Sequence, residues 1–383
     1  MDFAFSEEQL LLRNSIERFL ADHYAFETRR KVAANGQGWR PEVWEEFAGL
    51  GLLGIPFSEN HGGLGGSPID IMIVMEAFGR GLVVEPYLPT VVLGGGLLRL
   101  AGTKAQQDEL LPDVIAGDLR LAFAYAEPKS RYDLADVTTS AKKSGSGFVL
   151  NGYKSVVFGA PFADKIIVSA RTSGAQRDHK GITLFIVDLK MSGVSKRDYP
   201  TVDGLRASEI VLENVAVPAD AVVGEVDHGL ALIERVSDEA IAALSAEALG
   251  CMQALNEATT EYCKTRKQFG VPIGKFQVLQ HRMVDMFMAY QQSVSITYMV
   301  TLKLNEAEDA RKMAASSAKV QIGKAGRFIG QEAVQLHGGM GMTDELKVGH
   351  YFKRLSMIDT QFGNVSHHLK RYSHLTKGRE LNG

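Results

Sequence analysis

The stretch that decides the fold is TRKQFGVPIGKFQVLQH, residues Thr265–His281. A helical pattern without proline precedes it, from about Gly229 to Lys264, and another follows, from about Phe276 to Ala307. Because two glycines and a proline separate the patterns, one helix must end and a second begin here. An ordinary charged turn would explain the glycines and the proline. It would not explain the guanidinium and the several amides gathered there, which suit a pyrophosphate or a planar polar ring.

The overall composition is that of a globular chain. Its 383 residues suit two or three packed domains, with 45% of them hydrophobic and 23% charged. The formal net charge of −3 offers no basic field for nucleic acid. No apolar run approaches the ~20 residues needed to span a bilayer. The first residues, MDFAFSEE, lack the basic and apolar regions of a signal peptide. We therefore expect a cytoplasmic protein that binds neither nucleic acid nor membranes.

The residue pattern changes twice along the chain and so predicts three domains. Helical patterns fill residues 1–118. Residues 119–226 are rich in Val, Ile, Thr and Phe, and apolar and polar residues alternate in several stretches. This pattern predicts a β barrel or stacked sheet. Within this part Asn151-Gly152 predicts a hairpin turn. From 227 to 383 strands vanish, and the long helical patterns predict a bundle of four or five helices.

Two motifs in the last domain resemble those of a known family. Arg-x-x-Phe-Gly followed by Phe-Gln-x-x-Gln resembles the segment with which acyl-CoA dehydrogenases hold the ADP half of FAD. In that family the segment reaches across a dimer interface to the flavin of the neighbouring subunit. Farther along, QLHGGMGM is similar to the family's second motif at the FAD adenine. The resemblance implies a set of FAD-binding residues: Arg266, Gln268, Phe269, Gln277, Gln335 and Gly339.

The same resemblance covers essentially the whole chain and implies a fold and an activity. The implied fold is mainly α with a central β domain: N-terminal helices, a middle β barrel or sheet, and a C-terminal four-helix bundle. The implied activity is α,β-desaturation of an acyl-CoA in fatty acid metabolism, by a tetramer that passes electrons to an electron-transferring flavoprotein. FAD takes the hydride, while the protein must supply a carboxylate base and donors for the thioester oxygen.

The residues that should supply this base are absent. The family's usual glutamate lies 23 residues after the second glycine of the Gly-Gly pair, and counting from Gly339 reaches Phe362. Some members place the base 29 residues before the Phe of Phe-Gly, and counting back from Phe269 reaches Ala240. Neither a phenyl ring nor a methyl group accepts a proton, so the chain lacks both usual bases.

Other positions of the resemblance are altered as well. The loop Tyr125–Asp133 aligns with the family's Thr-Glu-Pro-Gly-x-Gly-Ser-Asp and keeps its acids, so Asp133 is implied to lie near substrate. Ala126 replaces the hydroxyl donor of that loop, and larger residues fill its small positions: Lys129, Arg131 and Tyr132. In the strand that follows, Val156 and Phe158 replace a Trp and a Thr that ordinarily lie against the flavin ring.

On the substrate helix, Asp238 agrees with a family Asp near acyl-CoA, while Ile241 replaces the expected Arg. The FAD-adenine motifs of this chain are kept, whereas its base and flavin-ring positions are altered. This combination resembles the small subunits of two-subunit enzymes such as pimeloyl-CoA dehydrogenase. We therefore expect a partner subunit of a heteromeric dehydrogenase. Two alternatives stay open: a homotetramer with Asp238 or Glu239 as base, and a non-catalytic scaffold that completes a partner's FAD site. The fold also serves acyl-CoA oxidases and flavin monooxygenases.

Overall fold

The computed structural model describes residues 5–380, with the side chains of 5–377. Helices fill its N-terminal part, strands its centre and helices its C-terminal part, which confirms the predicted class, mainly α with a central β domain. The N-terminal helices are α1 (Glu7–His23), α2 (Phe26–Ala34), α3 (Pro41–Gly49), α4 (Pro68–Gly81), α5 (Gly95–Ala101) and α6 (Lys104–Ala116).

Reciprocal caps fix where two of these helices begin. The Ser6 hydroxyl accepts a hydrogen bond from the Gln9 amide at 3.2 Å, and the Gln9 side chain accepts from the Ser6 amide at 3.1 Å. Thr103 and Gln106 repeat the arrangement before α6, at 3.2 and 2.9 Å. Each cap satisfies amides that no helical carbonyl can reach, which is worth ~1 kcal/mol.

The strands of the central part form one eight-stranded sheet, which packs on a buried apolar core. They are β1 (Leu121–Ala124), β2 (Ser140–Ser144), β3 (Gly147–Phe158), β4 (Lys165–Arg171), β5 (Ile182–Asp188), β6 (Val194–Pro200), β7 (Arg206–Val217) and β8 (Val222–Val223). Their order is β6-β7-β3-β2-β4-β5-β8, with β1 parallel to β4. Alternate residues of β3, β4 and β7 face the core, as with Leu150, Ile166 and Ile210.

The predicted hairpin turn at Asn151-Gly152 is wrong. Both residues lie inside β3, and β2 turns into β3 at Gly145, where φ is +57°. The register between β3 and β7 shifts between Leu150 and Gly152. A Cβ on Gly152 would lie 2.5 Å from Oγ1 of Thr139, so the glycine serves a bulge that another backbone approaches closely.

The C-terminal part contains the helices α7 (Gly229–Thr265), α8 (Gln277–Lys303), α9 (Glu308–His337), α10 (Lys347–Thr360) and α11 (Val365–Glu380). Two short strands, β9 (Lys267–Gln268) and β10 (Val271–Pro272), pair between α7 and α8. The long helix before the deciding stretch is confirmed. The helix after it ends at Lys303, earlier than predicted, because the chain must leave α8 before Ala307, which is the N-cap of α9. Among the described residues no helix is both long and apolar enough to cross a bilayer.

The described residues group by their internal contacts into two compact units. The helical unit comprises those of Met1–Lys31, Pro68–Val83 and Ile241–Gly383, and the sheet unit comprises Val32–Ser67 and Val84–Ala240. In the helical unit α9 packs against α8, α10 and α11. The three consecutive domains read from the sequence, 1–118, 119–226 and 227–383, stay a prediction.

Candidate functional site

Ring stacking and an ion pair bring the two adenine-motif segments together in the helical unit. Tyr262, near the end of α7, stacks on His337 at the end of α9 with ring centroids 4.4 Å apart. Arg282 of α8 pairs with Glu332 of α9 at 2.6 Å. His337 is buried and its Nδ1 donates to the Ala333 carbonyl at 2.8 Å. Burial lowers the pKa of His337, so the stacked ring is held as neutral imidazole.

The residues predicted to bind the adenine half are exposed to solvent: Arg266, Gln268, Phe269, Gln277, Gln335 and Gly339. Within residues 5–377, the guanidinium of Arg266 and the side-chain amides of Gln277 and Gln335 bond to no other protein group. Phe269 is 93% exposed although it is aromatic, and its φ is +52°. Unpaired donors and an exposed aromatic ring are the kinds of group that a phosphate and an adenine need, so the chemistry of these residues fits the adenine half of FAD.

In the sheet unit a buried ion pair joins the loop after β1 to strand β3. Nζ of Lys154 donates to Oε1 of Glu127 at 2.8 Å and to Oγ of Ser169 at 3.0 Å. Glu127 also accepts from the amides of Thr138 and Thr139 at 2.8 and 3.0 Å. Burial alone would raise the pKa of Glu127, but Lys154 and these donors outweigh it and lower the pKa to about 2. Burial lowers the pKa of Lys154 to about 8, against the attraction of Glu127.

Elsewhere in that loop Lys129, Arg131 and Asp133 are exposed, whereas Ser130 is buried. Oδ1 of Asp133 accepts from the Ala135 amide at 3.0 Å, so this predicted substrate-binding carboxylate is engaged in an Asx turn. Arg131 is exposed and has a φ of +50° at a position where the family resemblance places a small residue. The backbone therefore keeps a conformation suited to glycine while carrying a large cation.

Val156 and Phe158, the replacements at the expected flavin-ring position, lie at a bulge of β3. The register with β7 shifts between Lys154 and Val157, and Val156 has a φ of +52° with 42% exposure. A β-branched residue rarely adopts positive φ, and such strain costs about 1–3 kcal/mol. Phe158 is half-buried. The bulge thus presents an aliphatic side chain where the resemblance expects an indole, which fits the flavin ring poorly.

The two candidate bases, Asp238 and Glu239, differ in their surroundings. Glu239 is held on both oxygens, by Nη2 of Arg99 at 2.6 Å and by Nε of Arg235 at 2.8 Å. Asp238 and Ala240 are fully buried in α7. Glu239 is therefore tied into an ion-pair cluster of the sheet unit rather than left open to accept a proton.

Phe362, at the usual base position, packs into the apolar core of the helical unit. Its half-buried ring lies against a buried cluster consisting of Ile241, Ala242, Val300, Leu304, Ala314, Ala315 and Ala318. Its φ is +57°, and its carbonyl bonds to Nε2 of His368 at 3.0 Å. Full burial of a large apolar side chain contributes ~1.5–3 kcal/mol, and the half-buried ring contributes part of that. The ring therefore has a structural role at this position.

Sequence reasoning did not identify the burial of Lys154, Lys319 and His368. A signal existed for Lys319, because it lies among Ala315, Ala318 and Ile322 on the apolar face of α9. Lys154 is one of the buried positions of β3. The partners of the two lysines are 15 to 42 residues away in sequence and could not be read from it.

Comparison with known proteins identifies relatives along the whole chain. Family models for the N-terminal, middle and C-terminal domains of acyl-CoA dehydrogenase match residues 6–118, 122–215 and 227–366. A 3-(aryl)acrylate reductase of Clostridium sporogenes is 34% identical over 323 residues, which are 83% of this chain and 85% of the relative. The caffeyl-CoA reductase-Etf complex subunit CarC of Acetobacterium woodii is 31% identical, over 91% of this chain and 93% of that subunit.

Solved structures with the same fold include two named for paired chains. The Tcur3481-Tcur3483 steroid ACAD superposes with a TM-score of 0.89 at 28% identity, over 98% of this chain and 99% of that one. The ChsE4-ChsE5 complex from Mycobacterium tuberculosis does so with a TM-score of 0.88 at 26% identity, over 100% of this chain and 99% of that one.

Proposed function

The chain belongs to the acyl-CoA dehydrogenase family, whose cofactor is FAD, and we propose that it is the partner subunit of a heteromeric enzyme. In this assembly it completes the adenine half of the FAD site of a homologous catalytic chain, which supplies the base. The substrate class is an acyl-CoA, and an electron-transferring flavoprotein accepts the electrons. The similarity to the ChsE4-ChsE5 complex supports pairing of unlike chains.

The observation that carries this proposal is the environment of Phe362. The family reaction needs a carboxylate to take the α proton of the acyl thioester. Phe362 offers none, and its ring is packed against the buried cluster around Ile241 and Val300. Replacing it by glutamate would place a carboxylate beside apolar groups, at a cost in folding free energy. The structure of this chain thus favours a phenyl ring over a base at position 362.

In this proposal the adenine half of FAD is bound by side chains that are exposed to solvent. Arg266 carries an unpaired guanidinium that suits a pyrophosphate, and the free amides of Gln277 and Gln335 suit the edge of adenine. Phe269 offers an exposed ring for stacking. FAD, when bound, supplies the hydride acceptor of the reaction. The residues of this chain bind and orient it, and in the proposed assembly they do so for the flavin of the neighbouring chain.

A second candidate function is a self-sufficient homotetramer with Asp238 as base. Asp238 is a buried carboxylate two residues before Ala240, where some family members carry the base. Glu239 is a weaker candidate because Arg99 and Arg235 hold both of its oxygens. A third candidate is a non-catalytic scaffold that only completes a partner's FAD site and supplies no catalytic group of its own.

The test is an activity assay on the chain alone and on the chain with its co-expressed partner. Each preparation is supplied with FAD and a panel of straight, branched and ring-bearing acyl-CoAs, and turnover is followed with an artificial electron acceptor. We expect turnover only in the two-chain preparation. Turnover by the chain alone that falls at least ~10²-fold in Asp238→Asn or Glu239→Gln would instead establish the homotetramer. No turnover in either preparation, with any acyl-CoA of the panel, would contradict the proposed heteromeric dehydrogenase.

A further inference from the structure

The turn that carries Phe362 follows the end of α10 at Thr360. The last carbonyls of a helix lack intrahelical donors and must find them elsewhere. Lys319 of α9 provides them: its Nζ donates to the carbonyls of Ile358 at 2.5 Å, Asp359 at 3.2 Å and Gln361 at 2.7 Å. Lys319 is only 1% exposed, so water does not compete for these bonds. One buried ammonium therefore caps the end of α10.

A second buried side chain holds the next carbonyl. His368 of α11 is 0% exposed, and its Nε2 lies 3.0 Å from the Phe362 carbonyl. Its Nδ1 lies 3.3 Å from Oγ of Ser316, which is three residues before Lys319 on α9. Because a carbonyl only accepts, Nε2 carries the hydrogen, and Nδ1 accepts from the Ser316 hydroxyl. Helices α9 and α11 thus each fix the turn through a buried donor.

The backbone of the turn is also restricted by its dihedral angles and by close packing at Gly363. Phe362 and Gly363 have φ of +57° and +112°. A Cβ on Gly363 would lie 2.5 Å from Cδ2 of His367 and 2.7 Å from Nε2 of His368. A non-glycine residue at positive φ persists only where its surroundings hold it. For Phe362 those surroundings are the Lys319 and His368 donors.

We propose that Lys319 and His368 are positioning residues that fix the turn 358–363, so that the side chain at position 362 keeps one place and one direction. The donors act on backbone carbonyls and not on the side chain that the turn presents. Lys319 and His368 therefore position a phenyl ring in this chain, and they would position a different side chain at residue 362 in the same way. This inference holds whether or not the chain has a catalytic partner.

The charged groups around Lys319 determine how its hydrogen bonds to the turn respond to pH. Asp359 and Arg354 of α10 face it, with Asp359 bound to Arg327 of α9 at 3.1 Å and Arg354 bound to Glu247 of α7. His367 and Arg371 of α11 act on neighbouring His368. Burial lowers the pKa of Lys319 to about 7, partly offset by Asp359. Its three carbonyl acceptors match the three hydrogens of an ammonium, so deprotonation leaves one carbonyl without a donor.

The test places a reporter at the side chain itself. 4-Fluorophenylalanine is incorporated at position 362 of the full chain, and its ¹⁹F resonance is recorded in the parent, in Lys319→Met and in the matched control Lys324→Met. Lys324 lies on the same helix and is exposed. We expect one resonance in the parent and the control, and a shifted or doubled resonance in Lys319→Met. The parent resonance should also titrate with a midpoint near pH 7, and this titration should be absent in Lys319→Met.

A folded Lys319→Met chain with the parent's single, unshifted resonance would overturn the proposal. If Lys319→Met fails to fold, as judged by circular dichroism, the parent titration and Ser316→Ala decide. Ser316→Ala removes only the hydroxyl that orients His368, and we expect it to shift the resonance. A parent resonance that does not titrate between pH 6 and 9, together with an unshifted resonance in Ser316→Ala, would contradict the positioning role.

Discussion

Nζ of Lys154 and Oε1 of Glu127 lie 2.8 Å apart with both side chains buried. The pair joins strand β3, which carries Val156, to the loop that carries Arg131. Removing one partner leaves the other as an uncompensated buried charge, which costs ~3–5 kcal/mol. We expect Lys154→Met to lower the free energy of unfolding by that amount, measured by urea denaturation at pH 7.

The matched control for this variant is Lys165→Met. Lys165 pairs with Asp188 at 3.2 Å on neighbouring strands, but its side chain is 29% exposed. Pairs of this kind contribute ~0–1 kcal/mol. Equal losses of stability in the two variants would mean that burial does not increase the contribution of the Glu127–Lys154 pair to the free energy of unfolding.

Arg266→Ala should weaken FAD retention in the assembled enzyme without unfolding the chain. Arg266 is exposed, and its side chain forms no hydrogen bond or ion pair within residues 5–377, so its loss breaks no internal polar interaction. A charge-assisted contact to phosphate contributes ~1.5–3 kcal/mol, which corresponds to about a 10- to 150-fold rise in the Kd of FAD. The measurement is FAD titration by fluorescence, with Lys264→Ala as the control. An unchanged Kd together with a lower melting temperature would make Arg266 a structural residue.

Phe362→Glu should fold but lose stability as pH rises. The carboxylate would lie against the apolar cluster around Val300, where burial disfavours its charged form. The folded state then binds more protons than the unfolded state, so stability falls as pH increases through the unfolded value near 4.3. Urea midpoints at pH 5 and pH 7.5 measure the effect, with Phe362→Gln as an uncharged control. An equal pH response in the two variants would place residue 362 in solvent.

His368 should make the chain acid-sensitive below about pH 6.5. Burial, with the positive charge of Lys319, lowers the pKa of His368 to about 2, so the folded state keeps it neutral. Between pH 6.5 and about 2 the unfolded state binds the extra proton, and stability falls by up to ~1.4 kcal/mol per pH unit. Denaturation from pH 7 to 5 should show a shallower loss in His368→Asn than in the exposed control His374→Gln. Identical slopes would contradict a buried neutral His368.

Features set by local pattern could be predicted from the sequence. The helix from Gly229 and the turn at Thr265–His281 follow from helical periodicity and from the positions of Gly and Pro, which act on neighbouring residues. The β character of β3, β4 and β5 follows from alternation. Asn151-Gly152 was misinterpreted because the same dipeptide suits a turn and a bulge. The close approach of Thr139 decides between them, and that contact is visible only in the fold.

The candidate site was predicted in part for the same reason. The family resemblance identifies which positions to examine, but Lys319 caps carbonyls 39 to 42 residues away in sequence. Positive φ is normally marked by glycine, and at Arg131, Val156 and Phe362 the sequence carries no such mark. Tertiary contacts hold those backbones, so their geometry could not be foreseen.

The measurement that tests the partner-subunit account most directly is the FAD content of the purified chain expressed alone. Absorbance at the flavin band, divided by protein concentration, gives FAD per chain. The account predicts a value well below one, because Val156 and Phe158 leave the ring half of the site poorly matched. One tightly bound FAD per chain, bleached by an acyl-CoA, would contradict it.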